Sequence, residues 1–173
     1  MPHPLRAALL ALGFAIPLGC ALAAPAIAQG TEVTLGALKQ DSSLPVEIAA
    51  DQLAIDQASG EATFTGNVVI GQGGLKLSAA EVKVEYVGGT DAKGKIARLI
   101  ASGGVVLVTG SEAAEAQEAI YSVETGQIVM TGNVVLTQGN NALSGQKMTV
   151  NLNDGTALVE GRVTTTLQTG TAP

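Results

Sequence analysis

Tryptophan is absent from this 173-residue chain, and cysteine and histidine occur once each, at Cys20 and His3. Both single residues fall within positions 1–28, which read as a cleaved leader. The remainder has no thiol, no imidazole and no disulfide. Ser-His-Asp and Cys-His catalysis are thereby excluded, and so are zinc sites built on Cys and His. Aromatic rings are few as well: Phe64, Tyr86 and Tyr121 are all that follow the leader, too few for a base- or sugar-stacking platform. Basic charge is also scarce, with 9 Lys and Arg against 15 Asp and Glu. Phosphate recognition needs a basic stripe, so no nucleic-acid partner is expected. The nearest approach to a Ca²⁺ loop, Asn151-Leu152-Asn153-Asp154-Gly155, reads better as a hairpin turn. Gly71-Gln72-Gly73-Gly74-Leu75-Lys76 lacks the last glycine of a dinucleotide loop, and no Walker motif occurs. No metal site and no cofactor is expected, and no enzymatic activity.

The leader itself has three parts. Arg6 supplies a short positive region, and Ala7 to Leu22 is apolar but interrupted by Gly13, Pro17 and Gly19. Ala26-Ile27-Ala28 then gives a small-x-small cleavage site. The pattern predicts a Sec-type signal peptide over residues 1–28, cut near Ala28. The apolar run is too short and broken for a membrane span, and the Ala-x-Ala site argues against an uncleaved anchor. Leu18-Gly19-Cys20 raises lipidation at Cys20, against which Pro17 stands where an aliphatic residue is usual.

What is present is a repeat. Thr65-Gly66-Asn67-Val68-Val69-Ile70 returns 66 residues later as Thr131-Gly132-Asn133-Val134-Val135-Leu136, and self-similarity of this kind marks a repeat architecture. Glycines at the same strand position are Gly66, Gly103, Gly132 and Gly161, spaced 37, 29 and 29 residues apart. A second phrase recurs as Ala50-Asp51-Gln52-Leu53, Ala79-Ala80-Glu81-Val82, Ala116-Gln117-Glu118-Ala119 and Gly145-Gln146-Lys147-Met148. The extra residues of the longer step, 87–94, read as a loop. The unit is two strands, used about four times.

Period-2 alternation fills these units. Phe64, Gly66, Val68 and Ile70 share one face, as do Ile128, Met130, Val134 and Leu136; Val82, Val84 and Tyr86; and Met148, Val150 and Leu152. With Gly, Asn and Asp punctuation every 8 to 12 residues, this predicts an all-β, antiparallel sandwich, barrel or jelly roll. Glu112 to Ala119 has helix propensity, yet Gln117 to Tyr121 sits in strand register. A turn over 111–115 and a strand from about 117 is therefore expected. Ser78-Ala79-Ala80-Glu81 matches a helix capping box, but alternation follows it.

The inward face is aliphatic. Its ordinary reading is a closed sandwich core. A sharper one is an incompletely closed groove suited to acyl chains, each buried CH₂ contributing roughly 0.8 kcal/mol. The groove candidates are Phe64, Val68, Ile70, Val82, Val84, Val105, Leu107, Ile128, Met130, Val134, Leu136, Met148 and Val150. Val163 to Thr169 reads as a last, uncharged strand and Leu44 to Ile48 as the opposite edge. Val46, Ile48, Val163, Thr165 and Leu167 are the candidates for edge-to-edge assembly. Open backbone edges template pairing with another chain, and two of them on one molecule give a head-to-tail filament.

On Ile48-Ala49-Ala50-Asp51-Gln52-Leu53, its spacing to Phe64-Thr65-Gly66-Asn67-Val68, and Ala119-Ile120-Tyr121-Ser122-Val123 leading into Ile128 to Val134, the chain resembles the OstA-like family of lipopolysaccharide-transport bridge proteins. The resemblance covers about residues 44–167. It implies a slightly open, twisted β-jelly roll in the periplasm of a Gram-negative bacterium, non-enzymatic and without nucleotide. It also implies end-to-end stacking between inner- and outer-membrane transport components, with lipopolysaccharide acyl chains in the groove and sugars outside. Residues 29–43 are expected to be disordered and 168–173 to form a tail. Other readings are the membrane-anchored partner of such a system, a structural repeat protein or adhesin, and a β-helical polysaccharide lyase. The 29/37/29 spacing disfavours uniform solenoid rungs, and Lys and Arg are too scattered for a lyase site.

Overall fold

The computed structural model describes residues 30–34, 39, 41–88 and 94–168. The expected signal peptide, its cleavage site and Cys20 lie outside the described residues, as do 89–93 of the expected loop and 169–173 of the tail. Among the described residues eleven strands follow one another: β1 (Thr31–Thr34), β2 (Glu47–Ala49), β3 (Gln52–Asp56), β4 (Glu61–Gln72), β5 (Leu75–Tyr86), β6 (Ile96–Thr109), β7 (Glu112–Ser122), β8 (Gln127–Gln138), β9 (Asn141–Asn151), β10 (Thr156–Glu160) and β11 (Thr164–Thr166). They make one antiparallel sheet in the order β1-β10-β9-β8-β7-β6-β5-β4-β2, with β3 also on β4 and β11 also on β9. The sheet is an unclosed meander, and its strands are tied by tight turns such as Asn151 to Thr156. There the Asn151 carbonyl accepts from Gly155 N–H at 2.9 Å, and Asp154 Oδ1 from Thr156 N–H at 3.1 Å.

The two sequence phrases meet at a corner that every long strand turns. Gly66 and Asn67 have φ of 82° and 46°, and Gly132 and Asn133 have 86° and 50°; Gly103-Gly104 and Gly161-Arg162 do likewise. Each pair inserts one extra residue opposite the neighbouring strand, which is a β-bulge. Register jumps from Thr65/Glu81 to Val68/Ala79 on β4 and β5, and from Thr131/Lys147 to Val134/Gly145 on β8 and β9. Glycine is required for φ and also for space. A Cβ on Gly132 would meet Gln117 Cβ at 2.8 Å, and one on Gly103 would meet Ala80 Cβ at 2.7 Å. The residues pressing on the four corner glycines are Asp51, Ala80, Gln117 and Gln146, the second member of each copy of the recurring phrase.

The corners divide the sheet into two layers that fold against each other as a jelly roll. The upper layer holds β2, residues 68–72, 75–79, 105–109, 112–116, 134–138 and 141–145, and β11. The lower holds β3, residues 61–65, 81–86, 96–102, 118–122, 127–131 and 147–151, β10 and β1. Their apolar faces merge into one core. The layers are offset along the molecule. Gln72, at the upper end of β4, accepts a hydrogen bond from Tyr121 of lower β7, and upper β8 and β9 share a pocket with Thr31 of β1. Lower β3 therefore lies beyond the cover of the upper layer at the N-terminal end, and β11 overhangs at the C-terminal end.

Two expectations are corrected. β7 begins at Glu112, so the expected loop over 111–115 is strand; the turn is Gly110-Ser111. Ala114, Ala116, Ala119 and Tyr121 are buried between β6 and β8, and pairing on both sides outweighs the helix preference of alanine and glutamate. Within the segment expected to be disordered, Thr31–Thr34 form β1 on the outer edge of β10.

Candidate functional site

Every repeat contributes aliphatic residues to the inward face. Along β5 the buried set is Leu75, Leu77 and Ala79, then Val82 and Val84, so the inward parity changes at the corner. On β4 the extra residue of the bulge keeps parity, and Ala62, Val68, Ile70 and Gln72 point inward together. The two corrections interlock, and the apolar face stays continuous from one layer to the other.

Of the groove candidates, Val68, Ile70, Val82, Val84, Val105, Leu107, Ile128, Met130, Val134, Leu136, Met148 and Val150 are all buried in one core, and Phe64 packs against it half-buried. The edge candidates divide. Val46, Ile48 and Val163 are half-buried against that core, whereas Thr165 and Leu167 are exposed. β2 and β11 each pair a single strand among the described residues.

Several inward residues were not singled out from the sequence. Leu75 and Leu77 share the parity of Ala79, and Tyr121 that of Ala119, so alternation alone was enough to find them. The polar ones are harder. Gln72, Thr109 and Glu112 are buried at the turn ends of the upper layer. Gln72 Nε2 donates to the carbonyls of Ser42 and Leu44 at 2.9 and 2.8 Å, tying the segment before β2 to the rim. Burial in turn holds the Tyr121 phenol above its ordinary pKa. Gln138 Nε2 donates to Glu112 Oε1 at 2.7 Å, while Glu112 Oε2 has no hydrogen-bond partner among the described residues.

Depressions lie at the two ends. At the N-terminal end, Ser42 to Val46 of the upper side and Lys95, Ile96 and Val123 of the lower line an open depression of ≈ 660 Å³. At the C-terminal end, Leu136, Leu143, Ala142, Thr165 and Leu167 close over Thr31 around ≈ 170 Å³. Charges face outward as cross-strand pairs, Lys83 with Glu61 and Lys147 with Glu160, both at 3.0 Å. Exposed pairs of this kind contribute about 0–1 kcal/mol each. Among the described residues no group of three or more His, Cys, Asp or Glu could hold a metal ion. The interior is an aliphatic core, and Glu112 is its one buried carboxylate among the described residues.

A family model described as LptA/(LptD N-terminal domain) LPS transport protein matches residues 47–156. An uncharacterised protein of Rhizobium meliloti (strain 1021) is 32% identical over 112 residues, which is 62% of this chain and 60% of that protein. Lipopolysaccharide export system protein LptA of Escherichia coli (strain K12) is 39% identical over 57 residues, 33% of this chain and 31% of the relative. The alignments thus span less than two thirds of these curated relatives. Among solved structures, LptH of Pseudomonas aeruginosa, described as the LptA-homologous periplasmic component of a lipopolysaccharide transport device, superposes with a TM-score of 0.64. It covers 75% of this chain and 99% of that one at 18% identity, a likeness of fold.

Proposed function

The chain belongs to the LptA/LptD N-terminal-domain family of lipopolysaccharide transport proteins, and from that premise we propose that it is a periplasmic, non-enzymatic carrier of lipopolysaccharide. Acyl chains lie between the two layers, against Ile70, Leu107, Met130, Val134 and Leu136, with the sugars outside. The observation that carries this reading is an apolar inward face contributed by every repeat, inside a sheet that never closes. A dozen buried methylenes contribute on the order of 10 kcal/mol gross, so retention needs no chemical step. Entry and exit use the ends, where one layer lacks cover. Copies stack head to tail, and the outermost copies meet inner- and outer-membrane components of the transport system. Cleavage near Ala28 releases the chain into the periplasm.

Photo-crosslinking to lipopolysaccharide in intact cells tests this directly. Crosslinkers at Ile70, Met130 and Leu136 are expected to give adducts, and those at the outward Val69 and Val135 none. Equal labelling of both sets, or none in a folded periplasmic protein, would leave a closed sandwich in place of a carrier. Val134→Glu and Ile70→Glu, where they fold, are expected to abolish capture, because a charge in that face meets the acyl chains without a partner.

A further inference from the structure

The two ends of the sheet carry complementary kinds of strand. β10, Gly161-Arg162 and β11 form a strand of the glycine kind, complete with its corner. Inside the molecule each such strand is followed by one of the other kind in a constant register. Thr65 faces Glu81, Ser102 faces Glu118 and Thr131 faces Lys147; beyond the corner Val68 faces Ala79, Val105 faces Ala116 and Val134 faces Gly145. β10–β11 has no such follower among the described residues, and along β10 its place is taken by β1. At the opposite end, β2, Ala50-Asp51 and β3 form a strand of the second kind with no predecessor.

On the end-to-end reading, β2–β3 of a second copy continues β10–β11 in the repeat register; we propose that β1 is a stand-in held on that edge until the second copy displaces it. This rests on the end-to-end reading above and supplies its register and its control. Continuing the ladder sets Glu160 against Gln52, Val159 against Leu53, Leu158 against Ala54 and Ala157 against Ile55. β1 already pairs the same positions, with Thr31 on Val159 and Glu32 on Leu158. The two strands therefore compete for one row of backbone groups in the same antiparallel sense.

Side-chain identity favours the second copy. Leu53 and Ile55 belong to the inward parity of the lower layer, opposite Phe64 and Ala62, yet they are 54% and 66% exposed. Opposite Val159, where Leu53 would stand, β1 brings Thr31. The offset of the layers supplies the missing cover, because the overhang carrying Leu143 and Leu167 stands above that place. Leu167 is 64% exposed in the single chain. What β1 has in its favour is its tether, since a covalently attached segment acts at an effective concentration on the order of millimolar. The result is a threshold: dilute copies keep one edge covered, as soluble sheets require, and concentrated copies exchange β1 for β3.

Leu158 reads out the exchange, because Glu32 and Ala54 would face it in the two states and antiparallel partners lie within disulfide reach. In a Cys20→Ser background, Leu158→Cys with Glu32→Cys is expected to close within one chain. That chain should stay monomeric in sedimentation velocity where wild type assembles, and reductant should restore assembly. Leu158→Cys with Ala54→Cys is expected to give an intermolecular disulfide ladder, and Leu158→Cys with Gln52→Cys, two positions off register, much less. Deleting residues 30–34 should lower the assembly midpoint by about tenfold or more. A locked chain that assembles like wild type, a ladder equally strong off register, or a wild type that never assembles would each overturn the proposal. Lipopolysaccharide capture, measured on the locked monomer, separates the two readings. Capture with unregulated assembly overturns only the exchange, and ladders without capture overturn only the carrier.

Discussion

Leu53 and Met148 hold the same place in the repeat, each closing its copy of the recurring phrase, and they have opposite fates. Met148, in the middle of the molecule, is fully buried, and Leu53, at the N-terminal end, is 54% exposed. Thr165 and Leu136 repeat the contrast in the upper layer at the C-terminal end: the exposed threonine stands where the middle of the sheet places a buried leucine. Local strand geometry is the same in each pair. Cover from the opposite layer differs. In the middle both layers are present and the inward face is a core; at the ends one layer projects alone and the same face is a surface looking for a partner. The middle accounts for stability, and the ends are where the proposed entry and assembly would take place.

Substitutions that hit the middle and spare the ends break this contrast most sharply. Met130→Ala removes a fully buried side chain and should cost about 2–5 kcal/mol in urea unfolding. Leu53→Ala should cost a small fraction of that in the single chain and weaken self-assembly. Equal costs would mean that the ends are covered in solution. A smaller effect is expected at the corner that joins the layers. Gly132→Ala forces a Cβ onto a residue at φ 86° and against Gln117, at roughly 1–3 kcal/mol. Wild-type stability in this variant would mean that the corner relaxes without glycine. The smallest effect is at the rim. Glu112→Gln keeps a carbonyl oxygen for Gln138 and removes a buried carboxylate with an unsatisfied oxygen. It should stabilise by about 1 kcal/mol, read as a higher urea midpoint, and a loss of stability would show that the carboxylate has a partner in solution.

The rim also sets a pH dependence. Burial raises the folded-state pKa of Tyr121 above the ordinary value of 10.0. The unfolded chain therefore loses that proton first as pH rises, so this contribution is intact below about pH 10 and declines above it. Tyr121→Phe should abolish that alkaline decline, which a urea series from pH 8 to pH 11 would detect.

Much of this was legible in the residues alone. The recurring Gly-Asn pairs and the phrase ending in Leu53, Val82, Ala119 and Met148 gave the two-strand unit and its number of copies. Alternation placed every aliphatic groove candidate on the face that is buried or half-buried. Those properties are local: a left-handed backbone needs glycine or asparagine, and a two-residue period needs only neighbours. The start of β7 was not legible, because alanine and glutamate favour helix until two flanking strands hold them. The offset of the layers, the pairing of β1 with β10 and the burial of Gln72, Thr109 and Glu112 had no local sign either. Which strand end lies over which depends on the turning angle of four successive corners and the twist between them, and that sum over the whole sheet exists only once the chain has folded.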